Sequence, residues 1–142
     1  MIITPTVEDF IERARIARLA TIDSEFKPNL VPVVFVFDGN HFFIPVDEKR
    51  KTAKPAKLKR IRNIQDNPNV ALLFDEYSED WTKLAFVMIQ GKASIVNKIE
   101  GNIQVRQAYK KLMTKYTQYQ KVGVGEMCII IKPEKVSSWS NS

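Results

Sequence analysis

Eight of the chain's 22 basic residues fall within 14 positions: Lys49, Arg50, Lys51, Lys54, Lys57, Lys59, Arg60 and Arg62, with no acid between them. The rest of the chain holds 14 basic and 16 acidic residues, so the formal net charge of +6 comes from this one segment. A charge gathered in one place describes a local anion site; a surface for long nucleic acid would spread it over a face. The segment runs into a predicted helix, whose start adds free N–H groups and a positive dipole end, both suited to a phosphate. Arginine contributes a bidentate fork that matches phosphate oxygens. A phosphate-bearing small molecule fits these residues as well as nucleic acid does. A solvated helix face is the plainer alternative, but such faces usually mix the two signs.

Other chemistry is sparse. A nucleophilic triad would need His41, the single histidine, which sits beside a hairpin turn with no motif around it and reads as structural. Cys128, the single cysteine, lies in an apolar strand and reads as a packed, inert thiol; it excludes a disulfide framework and a Cys-based zinc site. Asp75, Glu76, Glu79 and Asp80 are close together but do not have the spacing of a calcium loop. Five glycines, none in a G-x-G-x-x-G arrangement, make a Rossmann site improbable. Phe35, Phe37, Phe42 and Phe43 can be read as a base-stacking platform on a small barrel, and equally as a sheet core, the commoner outcome.

The elements that must position the basic segment follow from periodicity and turn signals. Thr6-Val7-Glu8-Asp9 reads as a helix start, with Val7, Phe10, Ile11 and Ala14 on one face of a helix over roughly Thr6 to Arg15. Ala17 to Ile22 and Leu30 to Phe37 read as strands joined by a turn, with Pro32 marking a strand start, edge or bulge. Asp38-Gly39 predicts a hairpin whose return strand is His41 to Val46. The basic segment then leads into a helix with Pro55 in its first turn, Leu58, Ile61 and Ile64 on one face, and Asp66-Asn67-Pro68 at its end. Asn69 to Asp75, Thr82 to Gln90 and Lys92 to Val96 read as strands, with Gly91 a bulge or tight bend. A helix over about Glu100 to Tyr119 and a last strand, Glu126 to Lys132, complete the chain. Six or so strands with two or three helices predict a β-rich α+β domain, a small barrel, over the whole of 1–142.

The chain is 142 residues with 44% apolar and 27% charged residues, ordinary for a soluble globular protein. The longest apolar run, Leu84 to Ile89, is too short to span a membrane. No signal peptide is visible, so a reducing cytoplasm is the expected compartment.

In order along the chain, these features resemble the FMN-binding split β-barrel superfamily that includes pyridoxamine 5′-phosphate oxidase, and within it the F420-dependent branch. The segments that carry the resemblance are Ala17 to Asp23 with Pro28 to Phe35, Lys59 to Leu72, Asp80 to Leu84 with Gly91-Lys92-Ala93, and Ile131 to Trp139. The resemblance implies a split barrel, a homodimer with cofactor at the subunit interface, and a cofactor phosphate met by Lys59 and Arg60, with Lys57 and Arg62 as near neighbours. It implies a flavin or deazaflavin ring along the second and third strands, at Val33, Val34, Pro45, Val46 and Asp47, with Trp81 covering the pocket. FMN is the first expectation for the cofactor and F420 the alternative, with Lys49 to Lys54 either serving the longer acidic tail of F420 or simply solvated. The oxidases carry a further C-terminal segment that helps hold flavin and substrate; here three residues follow Trp139, which argues against true oxidase activity. The expectation is an FMN- or F420-dependent oxidoreductase acting on a small molecule, with no membrane partner. A non-enzymatic flavin or haem carrier is the alternative, and a nucleic-acid-binding barrel a more distant one.

Overall fold

In the computed structural model the described residues are 3–46, 58–97 and 102–141. The chain opens with helix α1, Pro5–Arg13. Its start lies slightly earlier than the predicted Thr6, because Thr4 accepts the Val7 N–H at 3.3 Å and Pro5 takes the first turn, where its missing N–H costs nothing. Strands β1 (Ala17–Ile22) and β2 (Pro28–Val33) form a hairpin, and β3 (Val36–Phe37) and β4 (Phe42–Val46) a second one. Helix α2 spans Lys59–Asp66, β5 Asn69–Glu76 and β6 Ala85–Val96, with a 3₁₀ turn at Trp81–Lys83 before β6. Helices α3 (Ile103–Lys115) and α4 (Tyr119–Val122) precede β7, Met127–Ser140.

The seven strands make one antiparallel sheet in the order β2-β1-β5-β6-β7-β4-β3, curled into a half-barrel. Alternating side chains serve its two faces. Ile11 of α1, Ile61 and Ile64 of α2, and Leu19, Phe35, Phe42, Phe74, Ile89 and Ile129 fill one core. On the other face, Phe43, Val36 and Cys128 meet Val105, Ala108, Tyr109 and Leu112 of α3 in a second cluster. Strand β4 is buried along its whole length because both of its faces are covered.

Three differences from the sequence reading have physical causes. The expected strand Leu30 to Phe37 is two strands, broken at Val34 and Phe35. There the Phe35 N–H donates to the Tyr116 hydroxyl at 3.3 Å and the Phe35 carbonyl accepts from Lys115 Nζ at 3.2 Å, in place of ladder bonds. Thr82 and Lys83 belong to the 3₁₀ turn, because the Asp80 carboxylate accepts from both the N–H and the hydroxyl of Thr82. Strand β7 is twice the expected length. It passes Pro133 because the β6–β7 register shifts there, pairing Gly91 with Pro133 and Gln90 with Lys135, so that Glu134 is the extra residue of a bulge.

Gly91 is buried at this bulge. A Cβ on it would press into the Lys132 carbonyl oxygen and stand 3.1 Å from Pro133 Cα, both backbone atoms of β7. Gly91→Ala is therefore expected to destabilise the fold by about 1–3 kcal/mol, read as a lower urea midpoint; an unchanged midpoint would show that the bulge has room.

Candidate functional site

Helix α2 starts at Lys59, so Lys59 and Arg60 are its first two residues. Leu58 takes the N-cap position without a side-chain cap, and no acid lies in the first turn. The helix start thus keeps its positive end uncompensated by its own sequence. Ile61, Asn63 and Ile64 are buried beneath the helix. Arg62 is exposed on the outer face, whereas Arg60 is half-buried with its Nε enclosed.

Two long-range contacts set the position of α2. The Asn63 side-chain amide donates to the Thr21 hydroxyl at 2.9 Å, and these are the buried polar side chains of the described residues. The second contact begins in the β1–β2 turn. Asp23 Oδ1 accepts the N–H groups of Glu25 and Lys27 at 2.8 and 2.9 Å, and Asp23 Oδ2 pairs with Lys59 Nζ at 3.4 Å. The Lys27 N–H bond leads in holding the Asp23 carboxyl below its ordinary range, and the Glu25 N–H and Lys59 add to it. Asp23 therefore stays ionised and orients Lys59. The sequence showed Asp23 only as a turn residue, and Thr21 and Asn63 as nothing in particular; a polar residue on the apolar face of α2 was the one available signal.

The residues expected at the site divide by their place in the sheet. Register along β1, β5, β6, β7 and β4 puts the Asp23 turn, Asn69, the end of β6 and the Pro45–Val46 end of β4 at one end of the sheet. Lys59, Arg60, Pro45 and Val46 therefore share an end. Val33 pairs with Ala17 at the other end, and Val34 follows it in the break before β3. Trp81 also lies at that far end, just beyond Glu76, seven residues and so roughly 23 Å of strand from Asn69. Its indole is 64% exposed, and its carbonyl accepts from the Asn141 amide at 2.8 Å. Within one chain, Trp81 does not stand beside Lys59. Lys57 and Asp47, like Lys49 to Lys54, lie outside the described residues.

Competing chemistry loses its residues to structural work. Phe35, Phe37, Phe42 and Phe43 are all buried, with Phe37 stacked on Phe42 at 4.4 Å and Phe35 edge-on to Phe74 at 5.0 Å, so they offer no platform to bases. Asp75 pairs with Arg18, Glu76 with Arg13, and Asp80 caps the 3₁₀ turn. Among the described residues no group of three or more His, Cys, Asp or Glu can hold a metal ion. Burial pushes the Cys128 thiol up to about 12, which keeps it protonated and unreactive. No helix of the described residues is long and apolar enough to cross a membrane.

The break at Val34–Phe35 carries its own electrostatics. Lys115 Nζ is 3.7 Å from the Phe35 ring centroid. Burial, with Arg15 adding to it, lowers the Lys115 amine from 10.5 to about 8. The Tyr116 hydroxyl donates to the Arg15 carbonyl at 2.8 Å, and burial raises that phenol.

Thr21→Val would leave the Asn63 amide buried without its acceptor. It is expected to cost about 1–3 kcal/mol in chemical denaturation, and Thr21→Ser much less; equal losses in the two variants would point to packing instead. For Lys115 the folded value lies below the unfolded one, so the unfolded chain holds more protons between about pH 8 and 10.5. The stability of the protein relative to Lys115→Met should therefore rise as pH climbs through that window. A flat difference would show that the amine titrates alike in both states.

The match to known proteins spans nearly the whole chain. Residues 3–140 match the family described as pyridoxamine 5′-phosphate oxidase. No curated protein matches significantly. Among solved structures, HutZ, the haem storage protein from Vibrio cholerae, superposes with a TM-score of 0.73 at 16% identity, covering 99% of this chain and 95% of that one. An FAD-binding protein from Mesorhizobium loti gives 0.69 at 18% identity, covering 96% and 92%. An F420 reductase gives 0.66 at 20% identity, covering 95% and 98%. At these identities the neighbours establish a shared fold, the split β-barrel, for proteins named after three different ligands. With the sequence match over 3–140 and that fold, the chain belongs to the pyridoxamine 5′-phosphate oxidase family.

Proposed function

We propose that this protein is a cofactor-dependent oxidoreductase that holds FMN, with F420 as the alternative, by its phosphate at the start of α2. The carrying observation is that start: Lys59 and Arg60 in the first turn, no acid and no side-chain cap there, and Lys59 aimed by Asp23. The donor set fits a phosphate: backbone N–H groups at a positive dipole end, an ammonium and a guanidinium. Asp23 also sets a limit, since it already neutralises part of the Lys59 charge. Arg60 stands beside Lys59 in the first turn as the second cation, with Arg62 on the outer face and Lys57 before the helix in sequence.

The cofactor, when bound, supplies the hydride chemistry. The chain's own residues bind and orient it. Pro45 and Val46 share the sheet end of the cradle, while β2 leads from the Asp23 turn to Val33 and Val34 over five residues, roughly 17 Å. That course suits an extended molecule with phosphate at one end and ring at the other, with Asp47 just beyond β4. The exposed outer side of β2, with Leu30 65% exposed, and the stacked, part-exposed Phe86 and Trp139 give a second copy of the chain apolar surface to cover. A cytoplasmic homodimer with the cofactor between subunits is the assembly proposed, with a small-molecule substrate and Trp81 free to close a pocket from the partner's side.

The haem neighbour favours a second reading, a haem carrier. Against it stands the supply of ligands: His41, between β3 and β4, is the single histidine of the chain.

The test is titration of the purified protein with FMN, F420 and hemin, followed by visible spectra. FMN or F420 should bind at micromolar concentration. Arg60→Ala should weaken that binding by at least about 1 kcal/mol, roughly five-fold, with the fold unchanged by circular dichroism. Binding of hemin alone would replace this reading with the carrier, and unchanged affinity in Arg60→Ala would remove the cradle.

A further inference from the structure

A second cluster of cations lies away from α2. Lys110, Lys111 and Lys115 of α3, with Thr114, face Glu12 of α1 across a groove of about 400 Å³ whose floor is Phe35, Val36 and Phe37. Strand β3 is the edge of the sheet, so among the described residues no further strand pairs beside it. The groove thus joins an apolar base to a rim of three lysines and one glutamate. None of the three lysines has an ion-pair partner within 4 Å among the described residues.

A solvated helix face would explain Lys110 and Lys111, which are exposed. It does not explain Lys115. That ammonium is turned inward over the Phe35 ring, donates to the Phe35 carbonyl at 3.2 Å, and retains two further N–H donors. Arg15 braces the same helix end, donating to the Lys115 carbonyl at 2.6 Å and lying 4.9 Å from the Tyr116 ring centroid. A cation fixed at the wall of an apolar groove, without a carboxylate in contact, is the arrangement small-molecule sites use to orient an acid head. The volume is in the lower part of the range such sites span.

We infer that the groove between α1, β3 and α3 binds a small amphipathic anion, its apolar body along the largely apolar lining of the groove and its acid head on Lys115 and Lys111. This site is separate from the phosphate cradle and does not depend on the cofactor reading. The ligand differs in kind from a phosphate ester: a single acid on a flat or short apolar body, such as an aromatic or medium-chain carboxylic acid. Glu12 on the opposite wall disfavours a polyanion. The charged and titratable groups facing Lys115 are Glu12 of α1, Arg15 beyond it, Lys110 and Lys111 of α3, and the Tyr116 hydroxyl. Of these, Lys115 has an amine held near 8, so the grip on an anion should weaken as pH rises from 7 to 9.

The experiment is a fluorescence titration of the full chain with 1-anilinonaphthalene-8-sulfonate, one sulfonate on an aromatic body. Saturable binding at one site per chain is expected, displaced by 2-naphthoate or octanoate but not by inorganic phosphate. The uncharged N-phenyl-1-naphthylamine should bind at least ten-fold more weakly. Lys111→Glu should weaken the sulfonate at least five-fold, and Thr114→Trp, which fills the groove from an exposed helix position, should abolish binding. Both substitutions are at the surface, so they keep the test independent of any folding defect in Lys115→Met. Affinity should fall several-fold between pH 7 and 9. No saturable signal, equal binding of the uncharged probe, or full binding in both surface variants would overturn the site.

Discussion

The pairing of β6 with β7 is the constraint on which the rest of the molecule depends. The two strands run together from Ala85–Ser140 to Val96–Cys128, and each half of the sheet hangs on one of them: β5, β1 and β2 on β6, β4 and β3 on β7. A flat ladder of this length could not bring both halves around a common core. The extra residue at Glu134 raises the local twist, and Gly91 lets the Lys132 carbonyl approach where any side chain would collide. The curl that follows packs Phe74 of β5 near Phe42 of β4, with centroids 5.7 Å apart, although the two strands are not neighbours in the sheet.

The same curl seats helix α2, the proposed phosphate cradle. Helix α2 carries a poor sequence for a free-standing helix: eight residues, no side-chain cap, and cations at the end where the dipole disfavours them. Its stability must come from tertiary contacts, namely Ile61 and Ile64 in the core and the Asn63–Thr21 bond beneath it. Cations at a helix N-terminus oppose the dipole, and this local conflict between sequence and helix is what a phosphate would relieve. Asp23 relieves part of it in the chain by itself. Such conflicts belong at binding sites, where stability is given up for a ligand.

Much of this was legible in advance, and the misses share a cause. The Asp38-Gly39 hairpin, the Gly91 irregularity, the α2 register and the sorting of basic residues into one segment are each written within a few positions of the chain. The break at Val34–Phe35 was not, because Val-Val-Phe-Val-Phe reads as continuous strand. What interrupts it are Lys115 and Tyr116, about 80 residues further on. The length of β7 was misjudged for the same reason: Pro133 stops a strand in isolation, and only a bulged partner lets it continue.

By itself, then, the sequence determined that this is a β-rich domain of the split-barrel kind with its excess positive charge gathered in one segment, because turn chemistry, alternation and charge density are local properties. Tertiary structure alone decided what surrounds the helix into which that segment runs. Asp23 meets Lys59 across 36 residues, Thr21 meets Asn63 across 42, and the lysine-rimmed groove joins residues 12, 35–37 and 110–115. None of these pairings has a local signature. They arise when the sheet closes, since strand register and curl choose which distant side chains become neighbours.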